Sequence, residues 1–395
     1  LTDATVLTVL RELIDHGPIS RPVLGGAVGL ARATVSSSVN DLRRRGLVTE
    51  VPGESNGRRG RPTTGLDLDD SNFALAGLEI AVDRVRVAVY SLRGRELLRQ
   101  EHVVDSEVAN PRALLRQAAA VLHETLGRIN AEQRELLGVG VSVPGLVDAS
   151  TGTVKYVPSL GWHDVALQKG VVEALGVDVP VIIDSDANFA VLAERRARLR
   201  AGVEGTSIVY LTGTYGISAG IVTGGQVWRG SRGMAGEVGH LILESSGLPC
   251  VCGRNGCFET RAGIHALIDA ADPSARRSAS SPAGLAAAID HLLARASDGD
   301  TSAMAALTDA GTWLGRGSAI LAALLDPDVI ILGGHYSRLE PWILRPARAS
   351  LSESLLIAES GMPDLEVSAR GVWGATEGAA LAVLHRLAAA QQPLP

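Results

Sequence analysis

The run Gly239-His240-Leu241-Ile242-Leu243-Glu244-Ser245-Ser246-Gly247-Leu248-Pro249-Cys250-Val251-Cys252-Gly253-Arg254-Asn255-Gly256-Cys257-Phe258-Glu259 gathers all three cysteines of a 395-residue chain into eight positions. One residue separates Cys250 from Cys252, and four separate Cys252 from Cys257. Gly253 and Gly256 let the backbone fold tightly, so the three sulfurs can converge on one point. His240 can add a nitrogen, and a closed Cys₃His set suits a tetrahedral structural zinc. The alternative is three inert thiols, or one disulfide and a spare cysteine. The odd count and the absence of a secretion signal speak against a disulfide framework. Glu237 precedes the run and Glu259 ends it. A metal-bound imidazole keeps its second ring nitrogen free to donate, and carboxylates accept from hydroxyls. Together these groups suit a polyhydroxylated ligand such as a sugar. The plainer alternative is that both acids only support the metal or face solvent.

Gly236-Glu237-Val238-Gly239-His240 followed by Cys-x-Cys-Gly-x-x-Gly-Cys-x-Glu resembles the signature of the ROK family, which groups sugar-responsive repressors with sugar kinases. The resemblance implies an α/β two-lobed, actin-like (ribonuclease H-like) body with a sugar site between the lobes. It also implies a proton-accepting aspartate at a strand end. Asp186, in Asp184-Ser185-Asp186-Ala187-Asn188, occupies that position. A helix N-cap is the competing role for this stretch, open to Asp184 or Ser185. Pro158-Ser159-Leu160-Gly161-Trp162 is similar to a family motif whose Asn contacts sugar, with Ser159 in place of the Asn. The sugar-binding set implied is therefore Asp186, Glu237, His240 and Glu259, helped by Asn188 or Ser159.

Working outward to the N-terminus, residues 1–65 carry nine Arg against six acids, a net +3, which leaves the rest of this −6 chain at −9. A basic head on an acidic body points to DNA as the head's partner. Val6, Val9, Leu10, Leu13 and Ile14 recur at helical spacing up to His16-Gly17-Pro18. Ser20 is positioned to cap a second helix with Pro22 in its first turn. After Gly29-Leu30 a third helix is expected from Arg32 to Arg45. Val35, Val39 and Leu42 form its apolar stripe, and Arg32, Thr34, Ser36, Ser37, Asn40 and Arg44 lie on its polar face. This pattern fits a helix-turn-helix, with an ordinary three-helix bundle as the alternative. Leu47 to Val51 and Gly65 to Leu68 read as two strands of a wing. Its tip, Gly57-Arg58-Arg59-Gly60-Arg61-Pro62, resembles an AT-hook core, whose arginines lie in narrow A·T-rich minor grooves. A basic linker that only neutralises phosphate is the other reading. The placement of this tip also resembles the wing of ROK repressors. Ala31 departs from the Ser cap usual in the family.

The expected division is a winged helix-turn-helix at 1–66, a first lobe at 73–185 joined by a C-terminal helix at 376–395, and a second lobe at 186–375 carrying the zinc knuckle and an oligomerisation surface. Phe73 to Tyr90 alternates as strands, Ala113 to Ile129 reads as an amphipathic helix, and Trp313 to Leu325 as another. ROK kinases carry Asp-x-Gly-Gly-Thr after the first strand, and the matching run here is Glu79-Ile80-Ala81-Val82-Asp83. Both glycines are missing, and Asp83 would face a polyanion. Like charges about 4 Å apart repel by roughly 4 kcal/mol at intermediate dielectric. The second phosphate loop is degraded too, at Tyr215, Ser218 and Ala219. The chain is therefore expected to be no enzyme. It reads as a homodimeric or homotetrameric repressor of carbohydrate genes, responsive to a sugar or sugar phosphate. The alternatives are an active sugar kinase with a DNA-binding head, and a regulator whose body binds a protein. With no apolar run long enough for a membrane span and no signal peptide, a cytoplasmic location is expected.

Overall fold

The computed structural model describes residues 3–52, 64–82, 84–104, 110–130, 133–176, 178–203, 205, 207–276, 282–356 and 361–389. Arg58, Arg59 and Arg61 of the wing tip, and Asp83, lie outside the described residues.

The head is α1 (Asp3–His16), β1 (Ile19–Ser20), α2 (Arg21–Val28), α3 (Arg32–Arg44) and the wing strands β2 (Val48–Pro52) and β3 (Thr64–Leu68). Gly29 takes φ +65°, closing α2 so that α3 can start three residues later. Ser20 does not cap α2 with its side chain. It stands at the N-cap position with extended backbone and pairs there with Gly65 of β3, a tertiary contact that local sequence does not report. Ala31 precedes α3 with no side-chain cap.

The body is a duplicated α/β unit. The first lobe contains β4 (Phe73–Ile80), β5 (Arg84–Tyr90), β6 (Glu96–Val103), α4 (Pro111–Asn130), β7 (Glu135–Val143), β8 (Leu146–Asp148), β9 (Thr153–Val157), β10 (Trp162–Val165), α5 (Leu167–Leu175) and β11 (Val181–Ser185). Its main sheet runs β11-β7-β4-β5-β6, with β11, β7 and β4 parallel. Every residue of β4 and β5 is buried, so the strands are covered on both faces rather than half wet.

The second lobe begins with α6 (Asp186–Arg200), then β12 (Ile208–Gly213), β13 (Ile217–Thr223), β14 (Gln226–Val227), α7 (Glu259–Ala262), α8 (Ile264–Ala271), α9 (Pro282–Ser297), α10 (Thr301–Leu325), β15 (Val329–Gly334), α11 (Tyr336–Ser354) and β16 (Asp364–Val367). Its sheet, β14-β13-β12-β15-β16, repeats the first arrangement of three parallel strands and an antiparallel extension. Helix α10 starts twelve residues earlier than its Trp313 stripe suggests, because Asp300 caps it by accepting from Ser302 and Ala303 N–H groups. No helix of the described residues is long and apolar enough to cross a membrane.

The chain closes with α12 (Gly374–Ala388), which returns across the first sheet and crosses α6. The crossing needs glycine at 378, since a Cβ there would sit 1.7 Å from the carbonyl oxygen of Phe189. One continuous apolar core contains Leu10, Leu13 and Ile14 of the head, Phe189 of α6, and Val383, Leu384 and Leu387 of α12. The head is thus packed on the body by the same two helices that line its centre.

Candidate functional site

The ligand atoms of His240, Cys250, Cys252 and Cys257 all lie within 4.8 Å of one another. Cys252 and Cys257 Sγ are 3.6 Å apart, as are Cys250 Sγ and His240 Nδ1. Tetrahedral zinc with bonds of about 2.0–2.3 Å has ligand–ligand edges of roughly 3.5–3.8 Å, so the residues fit a metal of this kind. The turn depends on Gly256 at φ +73°, where a Cβ would meet the Glu244 carbonyl oxygen at 1.6 Å. Burial opposes ionisation of Cys252, but hydrogen bonds from Arg254 outweigh it and bring the thiol down to about 6. His240 turns Nδ1 toward the sulfurs, leaving Nε2 for another partner. Glu259 Oε1 accepts from the Cys250 thiol at 2.9 Å and lies 3.4 Å from His240 Nδ1.

Asp186 opens α6 at the end of β11 and is 7% exposed. Ser185 is the N-cap, accepting from Asn188 N–H, which frees Asp186 from that role. Asp186 Oδ1 accepts from Ala187 N–H at 2.8 Å and from the Ser218 hydroxyl at 3.3 Å. Burial raises its carboxyl to about 7, and the charges of Glu79 and Glu237 push the same way. Burial also raises Glu237, against the pull of His240 and with the help of Glu259. Asp186, Glu237, His240 and Glu259 are therefore electrostatic neighbours. Asn188 points elsewhere, donating to Asp184 Oδ1 at 2.8 Å. Asp184 also takes Arg229 at 2.8 Å. Ser159 is exposed on the turn Pro158–Leu160.

Asp186 also lines a cleft pocket with Ala81 and Val82 after β4, Thr214 and Tyr215 between β12 and β13, and His335. The two stretches that match the kinases' phosphate loops thus face one pocket. Its floor carries a charge network that sequence reasoning missed. Arg86 donates to both oxygens of Glu79 at 3.0–3.1 Å and to Glu101 at 2.6 Å, while Arg84 reaches Glu101 at 2.7 Å. The available signal was two arginines, two apart, in an otherwise apolar strand.

On the head, Arg32, Ser37, Asn40 and Arg44 of α3 are exposed, and Thr34 and Ser36 half-buried. Arg44 bonds Asp41 at 2.9 Å, and Glu50 of the wing holds both Arg21 and Arg43. Behind the head, the far end of α6 presents arginines that sequence reasoning also missed. Arg195 pairs with Asp15 at 3.1 Å and Arg200 with Asp67 at 3.0 Å. Arg196 donates to the carbonyls of Ile14 and Leu92. The clustering of Arg195, Arg196, Arg198 and Arg200 was their only trace in the sequence.

A winged helix-turn-helix on a duplicated actin-like body with a Cys₃His cluster is the class this fold defines. The sequence profile of the ROK family matches residues 75–386, and this chain belongs to that family. A profile of the MarR family matches residues 1–59. The chain is 28% identical over 345 residues to the xylose repressor of Bacillus spizizenii strain W23, covering 87% of this chain and 85% of that one. It superimposes on a ROK family transcriptional regulator homologous to the Escherichia coli MLC protein with TM-score 0.75, at 24% identity and 96% coverage of both chains. The body alone resembles a ROK family glucokinase from Streptomyces griseus solved with glucose and AMPPNP. That match has TM-score 0.66 and 27% identity, and covers 78% of this chain and 98% of that one.

Proposed function

We propose that this protein is a sugar-responsive DNA-binding transcription regulator that represses genes of carbohydrate uptake or metabolism. The observation that carries this is α6. Its first residue, Asp186, is in the cleft, and its last turns hold Asp15 and Asp67 of the head. A helix of 15 residues spans about 22 Å as one rigid element. A sugar bound by Asp186, Glu237, His240 and Glu259, with help from Ser159, shifts the lobe angle and tilts α6. The heads of a cytoplasmic homodimer or homotetramer then lose the spacing required by two half-sites. One structural zinc on His240, Cys250, Cys252 and Cys257 would hold His240 and Glu259 in place. The chain is not a kinase on this reading, because Val82 and Tyr215 crowd the phosphate side of the cleft and Arg86 is already held by Glu79 and Glu101. Phosphoryl transfer depends mainly on positioning and charge stabilisation there.

Electrophoretic or fluorescence titration of operator DNA with a panel of sugars tests the proposal. One sugar should weaken DNA binding by at least about tenfold, the lower range of an allosteric coupling. DNA binding that no sugar alters would remove the effector role. Arg32, Thr34, Ser36, Ser37, Asn40 and Arg44 should read the major groove, and Arg58, Arg59 and Arg61 the neighbouring minor groove. Ser37→Ala or Asn40→Ala is expected to relax preference at particular base pairs by about 1–3 kcal/mol. Arg59→Ala with Arg61→Ala should weaken binding mainly on A·T-rich flanks. Uniform loss across all sites from Asn40→Ala would count against α3 as the reading helix.

The α6 connection has its own test. Arg195→Ala leaves Asp15 without its guanidinium in a mostly dry interface, at a cost on the order of 3 kcal/mol. Head and body should both stay folded, and DNA should still bind. The ratio of DNA affinities with and without the sugar should fall toward one. An undiminished ratio would put the coupling in another element.

A further inference from the structure

We infer that the cleft selects an uncharged sugar and rejects its phosphate ester, an inference that rests on the sugar-responsive reading and narrows it to one ligand class. The argument begins with Asp186, which belongs to two surroundings at once. On one side it neighbours Glu237 and takes the Ser218 hydroxyl. On the other it lines the pocket containing Glu79, Arg84 and Arg86. A hydroxyl held by Asp186 therefore directs any substituent it carries into that second pocket. If the ligand were a phosphate monoester, its two negative charges would have to be met there.

The two arginines of this pocket are committed. Arg86 is 3% exposed and spends its guanidinium on both oxygens of Glu79 and on Glu101. Arg84 is 7% exposed and bound to Glu101. Arg86 cannot turn to a phosphate without leaving the buried Glu79 unpaired, and Arg84 is held by the Glu101 carboxylate it shares with Arg86. Arg229, which reaches the strand end that carries Asp186, is bound to Asp184. Toward the sugar, the charged groups are Asp186, Glu237 and Glu259. The His240–cysteine centre supplies no positive field, since three thiolates outweigh a divalent ion. The raised carboxyl of Asp186 agrees, because no cation stands among its main influences. The same acceptors favour a neutral polyol, whose hydroxyls donate to carboxylates and to Thr212 and Thr214 at no charge cost.

The test is calorimetric titration of the full chain at pH 7.5 with matched pairs: D-glucose and glucose 6-phosphate, N-acetyl-D-glucosamine and its 6-phosphate, D-xylose and xylose 5-phosphate. For any pair that binds, the neutral member should bind at least about tenfold more tightly, as expected when a phosphate meets the carboxylates of Asp186, Glu237 and Glu259. Glu101→Gln, at a partly exposed position, removes the carboxylate charge that Arg84 and one edge of Arg86 share. It should narrow that ratio by strengthening the phosphate member alone. A phosphate ester that binds as tightly as its parent sugar overturns the inference and leaves the sugar-responsive reading standing. A Glu101→Gln protein with an unchanged ratio also overturns it, since rejection would then not lie in the committed arginines. If no member of any pair binds, the sugar-responsive reading itself falls, and this inference with it.

Discussion

Removing zinc with a chelator, or replacing Cys252 with Ser, is expected to lower the melting temperature by on the order of 10 °C and abolish the response to sugar together. Structural zinc in small finger peptides is worth about 10–16 kcal/mol in apparent folding free energy. Here the effect is smaller on the whole fold, because the cores of both lobes are built elsewhere. It is concentrated on residues 237 to 263. Without a metal, three sulfurs and one imidazole nitrogen within 4.8 Å have only weak mutual hydrogen bonds to hold them. Glu259 Oε1 accepts from the Cys250 thiol at 2.9 Å. A zinc bound to the Cys250 thiolate would release the thiol proton to solvent and leave this carboxylate free to accept from a ligand. DNA binding without sugar should persist, because the head rests on α6 and α12 rather than on the knuckle. Elemental analysis of the purified protein should find about one zinc per chain, the number one Cys₃His set can hold. A metal-free protein with unchanged melting and an intact sugar response would exclude this role.

The knuckle was legible in the sequence because its ligands lie within eighteen consecutive residues and its glycines fix the turn between them. The head was legible for a similar reason, since each helix carries its own apolar period. What escaped were contacts between residues remote in sequence. Arg195 and Asp15 are 180 positions apart, and Arg200 and Asp67 are 133 apart. Nothing local to either member distinguishes these pairs from solvated surface charge. Arg86 escaped because a strand motif reports hydrophobic alternation, not which acid waits on the neighbouring strand. Ser20 stands at the N-cap of α2 as its sequence suggests, but its hydroxyl makes no capping hydrogen bond, a geometric detail that residue type alone does not report. Of the candidate sugar residues, Asp186, Glu237, His240 and Glu259 converge as electrostatic neighbours. Asn188 instead turns its amide to Asp184.

Asp186→Asn should produce a protein that is more stable at pH 8 and no longer responds to sugar. An aspartate in the unfolded chain ionises near 3.8, whereas burial and the neighbouring Glu79 hold the folded carboxyl at about 7. Between these values the folded state keeps a proton that the unfolded state has released. Stability therefore falls as pH rises through this window, and the whole cost is present above it. Three pKa units correspond to about 4 kcal/mol as an upper figure. Asn has the same shape and can still accept from Ala187 N–H and the Ser218 hydroxyl, so it should recover about 2–4 kcal/mol at pH 8. Near pH 4 the difference should shrink to about 0.5 kcal/mol, because the aspartate is then neutral in the folded chain and only about half ionised in the unfolded one. Binding should move the other way. Losing a charged acceptor for a ligand hydroxyl costs about 1.5–3 kcal/mol of affinity. In the unmodified protein, sugar affinity should rise with pH through 7, as the bound hydroxyl favours the ionised carboxylate. A residue with a purely structural role would lose stability on substitution and leave affinity alone. Gained stability at high pH with lost affinity is the signature of a carboxylate kept ionisable for its ligand. Melting curves and calorimetry on the two proteins between pH 4 and pH 8 measure both quantities, and an Asn variant that is no more stable at pH 8 and binds sugar normally would rule the assignment out.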